Sequence, residues 1–450
     1  MSASINRMTE GSIPKIIIKF AIPLFLGHVF QQLYNTVDSL IVGNMIGNSA
    51  LAAVGSSGSL IFLLIGFFGG ISQGMGVVVS QYFGAKNYEK MQVAIHNAMT
   101  FNLCAGVFMT LFGTLASPWI LELMGTPAEV MPESVEYVQV YFMGSLGMVM
   151  YNSCMGVMQA VGDSKHPLYY LIISSILNAI LDIVFIGAFH MGVGGAALAT
   201  IISQFVSVIL CLFRLMRTNE VYRVSLKKLG FKFEMLKKLL QFGLPSGFQN
   251  SVIALANVFV QSNINSFGEM AMSGCGAYSK IEGFAFLPVT SFTSALTTFV
   301  GQNLGAGQVE RAKKGSRFGI MCSLLIAELI GVLTVVFADP LIAAFTDETE
   351  AIGFGVLKAQ TLGFFYFLLA ATHCLSAVLR GAGRAKVPMI TMMSFWCFFR
   401  VAFLYVTVPI TQTIDMVNWV YPITWSLSTI TLLIYYLKVD WAGQYRAKKT

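Results

Sequence analysis

The stretch FAIPLFLGHVFQQLYNTVDSLIVGNMIGNSALAAV, residues 20–54, begins as an apolar run and then carries a carboxylate, Asp38. A helix needs about 20 apolar residues to cross a bilayer. An ionised group at that depth is costly unless it is paired, protonated or hydrated. Gln31 and Tyr34 share one helix face with Asp38 because they precede it by seven and four residues. This face predicts the wall of a substrate cavity, although Asp38 could instead meet water at the outer end of the helix.

Apolar runs of similar length recur along the chain between about residues 16 and 438. The 450 residues are 56% hydrophobic and only 11% charged, whereas soluble proteins carry roughly 25% charged residues. Counting these runs predicts an all-α polytopic membrane protein with twelve transmembrane helices.

The net charge of +7 reflects an uneven distribution of basic residues between the loops. Basic side chains cluster in alternate loops, at Lys86 and Lys90, Lys165, 217–238, 311–317 and 380–386. The intervening loops carry acids such as Glu133 and Asp347 and no Lys or Arg. By the positive-inside rule, both termini are expected on the cytoplasmic side of a bacterial inner membrane. The basic excess therefore indicates orientation, and no nucleic-acid partner is expected.

Three motifs of the first half recur in the second half with almost constant spacing. QYFGAKNYEK (81–90) matches QNLGAGQVER (302–311), QAVGDSKHP (159–167) matches RGAGRAKVP (380–388), and FAIP (20–23) matches FGLP (242–245). The repeat predicts a six-helix lobe at 1–216, a cytoplasmic linker at 217–237 and a second six-helix lobe at 238–450. An even number of spans makes the repeats parallel, related by a pseudo-two-fold axis along the membrane normal. Substrate is then expected between the lobes, with alternating access.

Four polar side chains of the first lobe are expected at similar depth. Asn178 and Asp182 lie four residues apart on the fifth span, and Thr200 lies on the sixth. At about 1.5 Å per residue, all three reach the level of Asp38 in the outer half of the lobe. Two neighbouring carboxylates in a low dielectric favour protonation of one of them, which predicts a cation-coupling site.

Two other interpretations of these four residues remain open. Their oxygen atoms could hold a small hard cation, which would make them a sodium site, or they could form a polar network that only packs helices. The repeat favours a functional role, because the second half has Val260, Phe399 and Phe403 where the first has Asp38, Asn178 and Asp182. A group needed for packing would be expected in both halves.

The second lobe has charges of its own. Glu282 is the candidate acid there, and an ion pair with Arg400 or Lys280 is the expected explanation. No HExxH motif, paired metal-ligand spacing or serine beside a base is present in the sequence. The sequence therefore predicts neither an enzyme nor a cofactor or resident metal.

The chain resembles the multidrug and toxic compound extrusion (MATE) transporters, in the DNA-damage-inducible protein F-like branch. The motifs that carry the resemblance cover both halves: FAIPLFLGHVFQQLYNTVDSLIVG, VSQYFGAKN, MQAVGDSKHP, LNAILDIVFI, GGAALATIISQ, AYSKIEGFAFLP, GQNLGAG and LRGAGRAKVP. The resemblance implies two six-helix lobes around a V-shaped cleft. It also implies a cation site at Asp38, Asn178, Asp182 and Thr200, and a bend of the first span at Pro23.

Another branch of this family uses acidic residues in spans seven and ten. Here those spans, 238–266 and 352–379, contain no Asp or Glu. A sodium site in the second lobe is therefore not expected, and protons are the expected coupling ion of the first lobe, with sodium as the alternative.

Together these features predict a monomeric secondary active exporter of amphipathic, often cationic, organic compounds. The alternative is a flippase for lipid-linked saccharides, which the wider superfamily includes. A flippase would need basic residues along the cleft to bind a pyrophosphate, whereas carboxylates favour cationic substrates.

Overall fold

The computed structural model describes residues 8–46, 48–124, 126, 128 and 130–445, and within these ranges the chain is helical apart from short connections. The first half contains α1 Ile13–Met45, α2 Asn48–Gly84, α3 Tyr88–Leu123, α4 Met131–Met143, α5 Ser145–Ala160, α6 Lys165–Asp182 and α7 Gly192–Arg217. The second half contains α8 Phe233–Asn265, α9 Glu269–Ala285, α10 Leu287–Gly305, α11 Val309–Val336, α12 Ala338–Ala343, α13 Thr349–Gly363, α14 Tyr366–Gly381, α15 Lys386–Met392, α16 Arg400–Thr411 and α17 Asp415–Lys438. Two π-helical segments, Ile183–Ala188 and Met393–Phe399, follow α6 and α15.

Helices lie at all twelve positions predicted as spans, which confirms the all-α prediction. Nine of the described helical stretches are long and apolar enough to cross a membrane, and the pair α13 and α14, bent by 55°, makes a tenth. The two remaining positions fall short of that criterion for identifiable reasons. Gly144 divides the fourth span into the short helices α4 and α5. The seventh, α8, carries many Asn and Gln side chains.

The predicted repeat is present in the backbone turns. Gly162 and Gly383 both end a helix with positive φ, at 91° and 82°. Their N–H groups bond the carbonyl three residues earlier at 3.0 and 2.8 Å. The break at Gly144 between α4 and α5 recurs at Phe365 between α13 and α14. Both pairs have the same separation along the chain, so the two halves share one register from α4 to α14.

The described residues group into two compact units, 26–247 and 8–25 together with 248–445. The segment predicted as a linker, 217–237, packs on α3 of the first unit. Within it, backbone N–H groups of Ser225 and Lys232 donate to His96 Nε2 at 3.0 Å and to Asn97 Oδ1 at 2.8 Å. The boundaries predicted at 216 and 238 therefore both lie inside the first unit.

A glycine contact holds two helices of the second unit together. A Cβ on Gly274 of α9 would lie 2.0 Å from the carbonyl oxygen of Ala351 in α13. Small residues let membrane helices approach closely and gain dispersion energy along the whole contact. This crossing brings the later turns of α9, which carry Glu282, beside α13.

Candidate functional site

The two carboxylates predicted for the first-lobe site meet at the junction of α1 and α6. The Asp38 and Asp182 side chains lie within hydrogen-bonding distance of each other. Asp182 is 0% exposed and Asp38 is half-buried. Asp182 is the last residue of α6, and the π-helical segment Ile183–Ala188 begins directly after it. Such π-segments are frequent at functional sites.

The other two predicted residues join this pair through a hydroxyl network. The Tyr34 hydroxyl of α1 donates to Thr200 Oγ1 of α7 at 3.2 Å. The Asn178 amide of α6 donates to the same oxygen at 3.5 Å. The structure thus brings Asp38, Asn178, Asp182 and Thr200 together with Tyr34.

Four oxygen atoms of this site lack a hydrogen-bond donor among the described residues. They are Asp38 Oδ1, Asn178 Oδ1 and both carboxylate oxygens of Asp182. A buried acceptor left without a donor costs about 1–3 kcal/mol, and more when it is charged. A proton on one carboxylate would supply an O–H···O bond between the two. A small cation would meet oxygen ligands only, which suits a hard ion.

Two tyrosines that sequence reasoning missed lie beside the carboxylates. Tyr137 and Tyr141 of α4 both interact electrostatically with Asp38, and Tyr137 also interacts with Asp182. Their spacing of four residues inside an apolar segment was the sequence signal that could have placed both on one face of α4. It is the same spacing that marked Asn178 and Asp182.

Two further predicted residues lie on α1 without a direct contact to the carboxylate pair. Gln31 is exposed, one turn before Tyr34 on the same helix. Pro23 is buried in the interior of α1 and belongs to the second compact unit. Its role in a bend of the first span, and the role of Gln31 in a cavity, stay predictions.

Two cationic side chains lie close to Glu282 in the second unit. Lys358 of α13 and Arg400 of α16 interact electrostatically with Glu282 of α9. Lys280 is exposed on α9, and among the described residues it forms no ion pair with Glu282. Lys358, which sequence reasoning did not pair with Glu282, interacts with it electrostatically, as Arg400 does. Among the described residues, neither cation lies within the 4.0 Å of an ion pair with Glu282. Side chains two residues apart on a helix do not face each other.

Arg400 is held by polar and aromatic partners and is 1% exposed. Its Nη2 donates to Thr424 Oγ1 at 2.8 Å. The guanidinium carbon lies 4.6 Å from the ring centroid of Tyr421 and 5.2 Å from that of Trp396. Such cation–π contacts contribute about 2 kcal/mol or more when they are desolvated.

Comparisons with known proteins agree with the two-fold repeat. The family model MatE matches residues 23–184 and again 245–406, one range in each half of the chain. The probable multidrug resistance protein YpnP of Bacillus subtilis is 30% identical over 389 residues, covering 86% of this chain and 87% of YpnP. The probable multidrug resistance protein YoeA of the same organism is 28% identical, covering 96% and 95%. A solved structure, described as the outward-facing conformation of a multidrug resistance MATE family transporter, matches with a TM-score of 0.88, 25% identity and 100% coverage of both chains.

Proposed function

Because the chain belongs to the MatE family, we propose that it is a secondary active multidrug exporter that exchanges amphipathic, often cationic, organic compounds for protons. The names of YpnP and YoeA support drug export and do not favour the flippase alternative. The exporter is a multi-pass membrane protein, and the charge bias of its loops supports cytoplasmic termini in a bacterial inner membrane. We propose that it works as a monomer.

The observation that carries the proposal is the contact between Asp38 and Asp182. Two like charges about 4 Å apart repel by about 4 kcal/mol at an effective dielectric constant of 20. A proton bound to one carboxylate removes this repulsion and adds a hydrogen bond. A bound cationic substrate lowers the same repulsion, so proton and substrate bind in competition.

This competition gives antiport a physical basis. By linkage, a proton that weakens substrate binding must itself be bound less tightly when substrate is present. Asn178 and Thr200 orient the pair, and the buried Asn178 Oδ1 offers a further acceptor to an incoming cation. Repacking of the first span about Pro23 would then couple the charge of the pair to access.

Substitution of Asp38 tests the proposal. Asp38→Asn imitates the protonated carboxyl group, so the variant should fold, lose export driven by a proton gradient, and bind a cationic dye independently of pH. The dye affinity is measured in detergent over about two pH units around neutrality, and export is measured in proteoliposomes. Thr36→Ala is the matched control, because the Thr36 hydroxyl bonds a carbonyl of its own helix at 2.9 Å.

Two results would contradict the proposal. Export by Asp38→Asn at the wild-type rate under a proton gradient would remove the pair from coupling. Wild-type dye binding that responds to sodium but not to pH would replace the proton with sodium at the same four residues.

A further inference from the structure

The charged cluster of the second unit is not neutral. Lys358 and Arg400 are 3% and 1% exposed. Glu282 is the one carboxylate of the described residues that interacts electrostatically with either cation. The three side chains together carry a net charge of +1. An uncompensated charge inside a membrane protein is unfavourable unless a counter-ion or water reaches it.

The cluster also has hydrogen-bond donors without acceptors. The ammonium group of Lys358 has no hydrogen bond or ion pair within 4.0 Å among the described residues, and it is held only over the rings of Tyr278 and Tyr421, at 5.5 and 5.6 Å from their centroids. Arg400 Nε is buried and has no hydrogen-bond partner among the described residues. Both side chains carry donors only, so an anion is the ligand that would satisfy them.

Aromatic side chains surround these donors. Trp396 and Tyr421 flank Arg400, and Tyr278 is hydrogen-bonded to Tyr366 through their hydroxyl groups at 2.7 Å. Aromatic walls favour a ligand with a flat apolar body by stacking and edge-to-face contacts.

The repeat places two residues of this cluster at positions equivalent to residues beside the first-lobe carboxylates. In the register that the repeated turns share, Lys358 corresponds to Tyr137 and Tyr421 to Thr200. Arg400 corresponds to Ala179, so its charge has no counterpart in the first lobe. The second lobe therefore has a buried lysine where the first lobe has a tyrosine beside its carboxylates.

We propose that Glu282, Lys358 and Arg400 form a second binding site, which takes an aromatic organic monoanion such as an arylcarboxylate. The carboxylate accepts hydrogen bonds from Lys358 and Arg400 and neutralises the net charge of the cluster. The aromatic body packs against the surrounding rings. Glu282 limits the site to a single negative charge, because a dianion would meet its repulsion. The site does not depend on proton coupling at Asp38.

Paired ligands test the site in the purified full-length protein. The probes are 2-naphthoate and its neutral isostere 2-naphthamide, titrated by calorimetry in detergent. The wild type should bind the carboxylate at least about tenfold more tightly than the amide, a difference of about 1.4 kcal/mol. Lys358→Met should abolish that preference and leave the affinity for the amide unchanged. Lys280→Met is the matched control, because Lys280 is an exposed lysine close to Glu282 in sequence.

A second variant keeps the test decisive if Lys358→Met fails to fold. Glu282→Gln retains both cations and removes the competing carboxylate, so it should bind 2-naphthoate more tightly than the wild type does. Equal wild-type affinities for the two probes, or weaker naphthoate binding by folded Glu282→Gln, would overturn the proposal. Binding of a cationic dye in the same preparations reports on the first lobe, so failure of either site is seen separately.

Discussion

The two lobes use one backbone plan and opposite chemistry. In the first, two carboxylates meet with no basic side chain in contact among the described residues, and tyrosines and a threonine surround them. In the second, Lys358 and Arg400 outnumber Glu282 and lie over aromatic rings. The turns that define the repeat keep one register in both lobes, whereas the buried charges do not recur. A repeat of this kind therefore fixes the backbone frame and leaves the buried polar side chains free to differ.

The difference follows from how each cluster limits the cost of burial. Carboxylates are acceptors, and a shared proton or a cation satisfies them. Buried ammonium and guanidinium groups are stabilised by the faces of aromatic rings even without a carboxylate partner. The first cluster can therefore change its charge by binding a proton, whereas the guanidinium of the second keeps its charge. This contrast suits coupling in the first lobe and static recognition in the second.

The largest effect on ligand binding is expected when a residue of the first lobe is replaced by its repeat equivalent from the second. Tyr137→Lys copies Lys358 into the first lobe and places a permanent cation beside the carboxylates. We expect it to lower the affinity for a cationic dye by more than about tenfold, since one unit charge at about 4 Å contributes about 4 kcal/mol at an effective dielectric constant of 20. Dye titration of the folded protein measures this.

Tyr137→Phe is the matched control for that exchange. It keeps the ring and removes only the hydroxyl, so it should bind the dye within about a factor of a few of the wild type, as expected for one hydrogen-bonding group. Dye binding by Tyr137→Lys at wild-type strength would show that α4 does not face the substrate and would break the comparison.

The sequence predicted the convergence of the first lobe better than that of the second. Helical spacing and depth were sufficient to group Asp38, Asn178, Asp182 and Thr200, because these residues lie at one level of a bundle. The partner of Glu282 was not predictable in this way. Lys280 is nearer to Glu282 in sequence, but its side chain leaves α9 in a different direction. Lys358 lies near Glu282 only because α13 packs on α9, and the sequence does not show which helices are in contact. Periodicity defines the face of a helix and does not identify the helix that packs on it.

The next largest effect is expected when the packing of α9 on α13 is disturbed, and it should be confined to the second lobe. Gly274→Ala places a methyl group 2.0 Å from the carbonyl oxygen of Ala351, so the helices must separate. We expect a clear fall in melting temperature and a loss of 2-naphthoate binding, since overpacking costs about 1–3 kcal/mol. Gly276→Ala is the matched control, because its Cβ would meet no atom within 4 Å. Equal melting temperatures for the two variants would show that this crossing does not hold the second site.

The turn after α5 and its equivalent after α14 carry opposite charges, and this difference gives a smaller, pH-dependent effect. Asp163 Oδ2 lies 2.7 Å from His166 Nδ1. Burial disfavours ionisation of Asp163, but the contacts with His166 outweigh it and hold the pKa of the carboxyl group below its usual value. A lowered pKa stabilises the fold above the unfolded value, about 3.9, and this stabilisation is lost as pH falls through the lower, native pKa.

Asp163→Asn should therefore lower the melting temperature near neutral pH, by the equivalent of about 1 kcal/mol. Below about pH 4 the difference from the wild type should shrink. In the second lobe the equivalent residue is Arg384, whose Nε has no partner among the described residues. Arg384→Gln should not change the acid sensitivity of melting. A constant difference between Asp163→Asn and the wild type at all pH values would show that the charge of Asp163 is not what stabilises the turn.

The smallest effect concerns the other repeated turn, where Lys86 and Gly307 both adopt positive φ, at 55° and 72°. A Cβ at Gly307 would meet no atom within 4 Å, so Gly307→Ala isolates the cost of the left-handed backbone. We expect it to lower stability by about 1 kcal/mol. Lys86→Gly should relieve the same cost in the first lobe and leave stability equal or slightly higher. Gly230→Ala is the control, since Gly230 has neither a positive φ nor an atom near its Cβ position. Melting temperatures in detergent compare the three variants. Equal melting temperatures for Gly307→Ala and Gly230→Ala would contradict this prediction. They would show that the turn of the second lobe relaxes to accept the methyl group and is less rigid than its dihedral angle indicates.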